Sequence, residues 1–256
     1  MPHAHDGTSA LAIAPTLALL LIAFVYLRTW LASRSNGANS ISGWRAGSFF
    51  LGLFLIWVAL GSPLAALDHE RLTVHMIQHL LLMTLGPPLV WLGAPAAAQR
   101  LRAFTSMTVC WLFAAVVLIG WHVPAIFTLA MQSPGWHAVQ RASFLGSGLL
   151  FWLPVVQSAS SLSTGPRWSI ILYLYLATLP CDVLSAFLVF SERVAYPIYI
   201  STSGRSAESV LADQECAGAL MWTCVIIVYL VPGAILATRW LAAPLGGEQT
   251  LPHASV

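Results

Sequence analysis

Apolar residues in this chain come in blocks of roughly 20, each closed by a charged residue, a proline or a glycine. An α-helix rising ~1.5 Å per residue needs about that length to cross ~30 Å of hydrocarbon. Seven blocks are predicted as spans, at about 10–27, 48–67, 75–94, 104–123, 137–156, 168–190 and 218–240. The pattern predicts an all-α, polytopic membrane protein with seven transmembrane helices, its termini on opposite sides and one membrane domain over 1–256. The first block has no Lys or Arg before it and is long for the apolar part of a signal peptide, so it is expected to be retained. Pro15 sits one turn inside it, where proline is tolerated.

Composition sharpens this picture. Charged residues make up 8% of the 256 and apolar types 58%, whereas a soluble domain is about a quarter charged. Mean hydropathy is +0.80. Every one of the 11 basic residues is Arg. The absence of Lys excludes lysine Schiff-base chemistry and a P-loop. A net charge of +2 with no basic run gives no nucleic-acid signal. The four Cys lack C-x-x-C spacing, so they describe neither a zinc ribbon nor a disulfide framework.

Arginine placement sets the expected orientation. Arg28, Arg34, Arg45, Arg100, Arg102, Arg167 and Arg239 fall on one side of the spans. Arg71, Arg141, Arg193 and Arg205 fall on the other. The positive-inside rule then puts the N-terminus outside and the C-terminus in the cytoplasm. Trp30, Trp44, Trp91, Trp168 and Trp240 would mark the cytoplasmic boundary, with Trp121 and Trp136 at the outer one.

With that orientation the polar residues collect at one face. His69, His75, His79, His122 and His137, with Asp182, Asp213 and Glu215, come to similar outer depth from different segments. His75, His79 and Met83 follow i, i+4, i+8 spacing, which on an α-helix makes one stripe with steps of ~6 Å. Two imidazoles one turn apart can share a metal, and a thioether below them favours Cu(I) over harder ions. The same pair also fits an interfacial helix start whose rings bond water and loop carbonyls. Met76 follows the first His, so the Glu of a zinc protease motif is missing. Leu145-Gly146-Ser147-Gly148 reads as small residues for close helix packing rather than a serine-protease loop.

Asp182 is an ionisable group within a span and must face the bundle. Pro180 before it would open a polar niche, and Arg141 is its expected ion-pair partner. As a carboxylate it could equally orient ligating imidazoles. His122 ends its helix, and 124–136, without charge, could lie along the interface as a lid. Cys216, near Asp213, is a possible soft ligand; Cys110, Cys181 and Cys224 read as buried small apolar residues. Tyr196-Pro197-x-Tyr199 reads as an interfacial anchor.

Across roughly 45–240 the chain resembles the CtaG family of integral-membrane cytochrome c oxidase assembly factors, associated with caa-type oxidases. The resemblance rests on His75-Met-x-Gln-His79-Leu-Leu-Leu, Gly86-Pro87-Pro88, Trp121-His122-x-Pro124, His137, Phe151-Trp152-x-Pro154, Tyr196-Pro197-x-Tyr199 and Asp213-Gln214-x-x-Ala217-Gly218-x-x-Met221-Trp222. It implies a multi-pass bacterial plasma-membrane protein needed to make haem-copper oxidase, a metallochaperone rather than an enzyme. Copper as Cu(I) would be held by His75, His79 and His122, with His137 and Met83 as further candidates, and passed to a copper-containing oxidase subunit. Asp182 and Asp213 would orient those ligands or stand at the mouth of the site. The family pattern implies a second His one turn after His137, where this chain has Arg141, so its site is smaller or different. Two other readings compete: a b-type redox protein with bis-His haem between helices, and a metal-ion transporter. A transporter needs polar groups along the whole path, and the cytoplasmic halves of the spans nearly lack them.

Overall fold

A computed structural model describes residues 5–35, 41–101, 106–160 and 168–242, and the side chains of 13–34, 41–101, 106–158 and 168–238. Among these residues the fold is all-helical, without strands. In chain order it runs α1 (His5–Ser35), α2 (Gly43–Gly61), a 3₁₀ helix (Pro63–His69), α3 (Leu72–His79), a π-helical stretch (Leu80–Leu85), α4 (Gly86–Gly93) and α5 (Pro95–Arg100). There follow α6 (Met107–His122), α7 (Pro124–Gln132), α8 (Pro134–Ser160), α9 (Trp168–Phe190), α10 (Ile198–Ser203) and α11 (Ala207–Ala242). Among the described residues six helices are long and apolar enough to cross a membrane, counting Leu72–Gly93 as one. The pair α6 and α7, bent by 76° between them, would make a seventh. Of the arginines used to orient the chain, Arg102 and Arg167 lie outside the described residues, as do the side chains of Arg239 and Trp240.

The apolar blocks locate the spans well, and α9 matches its predicted limits. Several boundaries move, and one span changes its winding. α2 stops at Gly61 because Ser62 turns extended and its hydroxyl accepts the Leu64 amide at 3.2 Å, capping a 3₁₀ helix that opens on Pro63. α11 starts at Ala207, so Asp213, Glu215 and Cys216, expected to precede the last helix, lie inside it. The span after His79 widens into a π turn. Pro87 and Pro88 follow immediately and cannot donate to the carbonyls of the preceding turn. The Gly86 amide reaches back to Leu81 O, five residues earlier, which rescues one of the freed groups.

The span Leu72–Gly93 is the most enclosed, and α8 is next. α2, α6, α9 and α11 surround them, while α1 is tied to the outside of α2. Tyr26 of α1 stacks on Phe49 at 3.8 Å and donates to Gly93 O at 2.8 Å. On α9, Val183, Phe187 and Phe190 stand 72%, 52% and 73% exposed on one face, an apolar stripe that suits lipid and not water. Gly148 brings α8 against the π turn: a Cβ there would meet Met83 O at 2.6 Å and its Cα at 2.7 Å. Ser147 beside it is fully buried. The small-residue reading therefore holds at these two positions, whereas Gly146 has open space around it.

Since backbone cannot yield as a side-chain tip can, Gly148→Ala is expected to destabilise by about 3 kcal/mol, the upper end of overpacking penalties. Gly146→Ala should leave stability unchanged or slightly raised. Thermal unfolding of the two variants in detergent checks this; equal melting temperatures would show that α8 does not approach the π turn so closely.

Candidate functional site

α3 is buried on nearly every side, so His75 and His79 both point into protein. The start of this helix is fixed from α11. The Asp213 carboxylate accepts the Leu72 amide at 2.8 Å and the Thr73 hydroxyl at 2.7 Å. That supplies the N-terminal cap that Arg71, at the capping position, does not. α6 delivers His122 at its last residue, and α8 brings in His137 one turn after Pro134.

The imidazoles form a line. Ring centroids are 4.9 Å apart for His69 and His137, 6.0 Å for His137 and His75, 4.1 Å for His75 and His79, and 5.8 Å for His79 and His122. His69 lies at the rim with 45% of its side chain exposed. The other four are buried. Phe144 stacks on His79 at 3.9 Å and Phe127 stands 5.0 Å from His75, closing the line with apolar walls.

Most of these nitrogens lack a protein partner. Both nitrogens of His75, both of His79 and both amide atoms of the fully buried Gln78 and Gln140 make no hydrogen bond. A buried polar group left unpaired costs about 1–3 kcal/mol, so these atoms call for a partner the chain does not supply. His122 differs. Its Nδ1 lies 2.6 Å from Leu118 O, a carbonyl that can only accept, so Nδ1 carries the hydrogen. In the neutral ring Nε2 is then bare, and it faces Met76 Sδ at 3.5 Å.

At the rim, Asp68 is fully buried and holds the linker to α8. Its Oδ2 accepts Arg141 Nη2 at 2.7 Å, and the same nitrogen donates to Ala65 O at 3.1 Å. His137 Nε2 comes within 3.0 Å of that oxygen without the alignment of a hydrogen bond. Oδ1 has no hydrogen-bond partner and lies 3.7 Å from His69 Nε2. The ligating atoms of Asp68, His69 and His137 all fall within 4.8 Å of one another. Burial would raise the Asp68 carboxyl, but the contact with His137 and the positive charge of Arg141 outweigh it and hold it below the usual carboxylate range. Burial lowers His69; Asp68 opposes this, and His137 and Arg141 add to it.

Sequence reasoning grouped all five of these histidines by depth, and the structure places them next to one another. Its other assignments change. Arg141 pairs with Asp68 and not with Asp182, which is only partly buried and leaves Oδ1 without a hydrogen bond. Asp213 is occupied in capping α3 and in an approach of 3.5 Å to Arg205. Cys216 is exposed on α11. Met83 falls in the π turn, off the α-helical stripe, yet lines an apolar cavity together with His79, His122, Phe144 and Pro180. Tyr196 and Tyr199 are buried rather than anchored at an interface, and they donate to His122 O and Asp68 O, each at 3.0 Å. Asp68 and Met76 were missed. The signal for Asp68 was the density of Asp68-His69-Glu70-Arg71 in a chain with so little charge.

Fold and site together define a polytopic helical membrane protein with a buried file of histidines at one end of its spans. Residues 24–243 match the family described as cytochrome c oxidase caa3 assembly factor (Caa3_CtaG), and the chain belongs to it. No curated protein and no solved structure matches the chain.

Removing Asp68 leaves a partly buried guanidinium without its carboxylate, so Asp68→Asn should cost about 3 kcal/mol in detergent unfolding, and Arg141→Met in the same chain should recover part of it. A carboxyl depressed on folding contributes fully above its unfolded value of about 4 and loses that contribution as pH falls through the lower folded value. The gap between wild type and Asp68→Asn is therefore expected to stay constant from about pH 8 to 5 and to shrink only in stronger acid. A gap that closes between pH 7 and 5 would contradict the network.

Proposed function

We propose that the protein carries copper, as Cu(I), at the histidine file on its extracytoplasmic side and passes it to a copper-containing subunit of the oxidase whose assembly its family serves. The observation that carries this reading is the adjacent pair His75 and His79, buried 4.1 Å apart with four nitrogens that no protein group satisfies. Neutral imidazoles and thioethers suit a soft or borderline cation, and Met76 and Met83 both border the file or its cavity. The arginine distribution supports an outside N-terminus and a cytoplasmic C-terminus in a bacterial plasma membrane, so that the file opens to the outer side through His69.

The file suits carriage rather than catalysis. A general base needs a proton to take and a substrate beside it. Among the described residues, the one fully buried carboxylate, Asp68, is already engaged by Arg141. Beyond His79 and His122 the cavity is walled mainly by apolar side chains, which offers a cation few further oxygen or nitrogen ligands toward the opposite face.

Titration of the purified protein with Cu(I) against a competing chelator tests the reading. Wild type is expected to retain the ion and the His75→Ala, His79→Ala double variant to lose it by about two orders of magnitude in affinity or more. Cells carrying only the double variant should make oxidase deficient in copper. Unchanged affinity in the double variant would remove these residues from the site.

A further inference from the structure

His122 Nε2 and Met76 Sδ face each other at 3.5 Å, and the contact has an unusual feature. The Leu118 carbonyl takes the ring's hydrogen on the other nitrogen, so the neutral imidazole presents a lone pair to a sulfur that also presents one. Two acceptors gain no hydrogen bond from meeting, and an electrophile between them would give both lone pairs a partner. Protonating Nε2 would supply a weak N–H···S contact, at the expense of an imidazolium among Phe144 and the apolar cavity wall. A soft cation fits without that penalty on the ring. Donors bound to one ion at about 2.0–2.1 Å for nitrogen and 2.3 Å for sulfur lie 3.5 Å apart when the angle between them is about 105–110°, near tetrahedral.

A third donor stands in reach. The His79 centroid is 5.8 Å from that of His122, and two imidazoles on one ion at ~2.0 Å bonds have centroids about 5–6 Å apart. Both His79 nitrogens are free of hydrogen bonds, so either can turn toward the ion. We propose that Met76 Sδ, His122 Nε2 and the His79 ring together hold one Cu(I), the innermost station of the file. This rests on the copper reading above and assigns the thioether to Met76 rather than to Met83. Met76 is fully buried, and its sulfur is the one that meets a ring nitrogen. The set is neutral throughout, so a monovalent ion buries a single charge where Zn(II) would bury two.

The test compares wild type, Met76→Leu, Met76→His and Met83→Leu, each purified in detergent, loaded with Cu(I) without oxygen and examined by chelator competition and X-ray absorption at the copper edge. Expected are a sulfur shell near 2.3 Å in wild type and in Met83→Leu, its disappearance in Met76→Leu with about tenfold weaker binding or more, and recovered affinity without sulfur in Met76→His. Leu for Met conserves volume and costs little in a core, and Met76→His gives a second readout should Met76→Leu lose folded protein. A sulfur shell that persists in Met76→Leu, or vanishes in Met83→Leu, overturns the assignment to Met76. A wild type that binds Cu(I) through nitrogen alone overturns the inference and leaves the copper reading standing. A wild type that binds no Cu(I) overturns both.

Discussion

A carboxylate cannot be buried alone, and Asp68, with no exposed surface, is held by groups from three elements. Arg141 and His137 of α8 approach one oxygen, His69 approaches the other, and the Tyr199 hydroxyl of α10 bonds the backbone carbonyl. All of these but the His69 contact cross from the short 3₁₀ linker to a distant segment, so one residue fixes where the linker, α8 and α10 meet. Remove the charge and there is no reason for Arg141 to leave water. The histidine file begins at this junction, because His69 and His137 are themselves members of the ion-pair group.

The same logic repeats one layer in. α3 has no capping side chain of its own, and Asp213 from α11 supplies it across the bundle. Gln214 next to it accepts the Ala195 amide and donates to Leu188 O and Arg193 O, which draws the 191–197 segment onto the helix ends. Tyr196 then stacks on Phe127 at 4.1 Å and bonds the carbonyl of His122. The bend of 76° between α6 and α7 is what carries Phe127 over the rings. The file is thus roofed by α7 and a loop and walled by Phe144, and its shape follows from polar backbone groups that had to be satisfied away from water.

How much of this the sequence carried depends on which constraint acted. The bilayer demands about 20 apolar residues per crossing, so the spans could be read from block length. Shared depth was enough to group His75, His79, His122 and His137, since all four sit near helix ends on one side. Pairing was a different matter. Asp182 and Arg141 were matched because both lie in spans, yet Asp68, in what looked like a solvated linker, turned out to be the buried partner. Depth along a helix is a one-dimensional quantity, whereas which linker folds back is set by packing. Met76 escaped for a related reason. A stripe at i, i+4, i+8 presumes an α-helix to Met83, but the prolines at 87 and 88 force a π turn before that point, while Met76, one residue from His75, faces a histidine on another helix.

The carriage proposed above requires a site that holds its ion and also lets it go, and the hydrogen bonding of the file bears on both. At a resident metal centre the far nitrogen of each ligating imidazole is normally bonded, which fixes tautomer and ring angle and raises ligand basicity. Among the inner histidines here only His122 is so fixed, through Leu118 O. His75 and His79 have neither nitrogen tied, and they sit between that fixed ring and the rim. On the copper reading proposed above, one anchored donor beside two rings that no hydrogen bond holds would let ligands be exchanged one at a time along steps of 4–6 Å. On that proposal, the unsatisfied nitrogens that look like a defect in a core would keep each step toward the partly exposed His69 shallow.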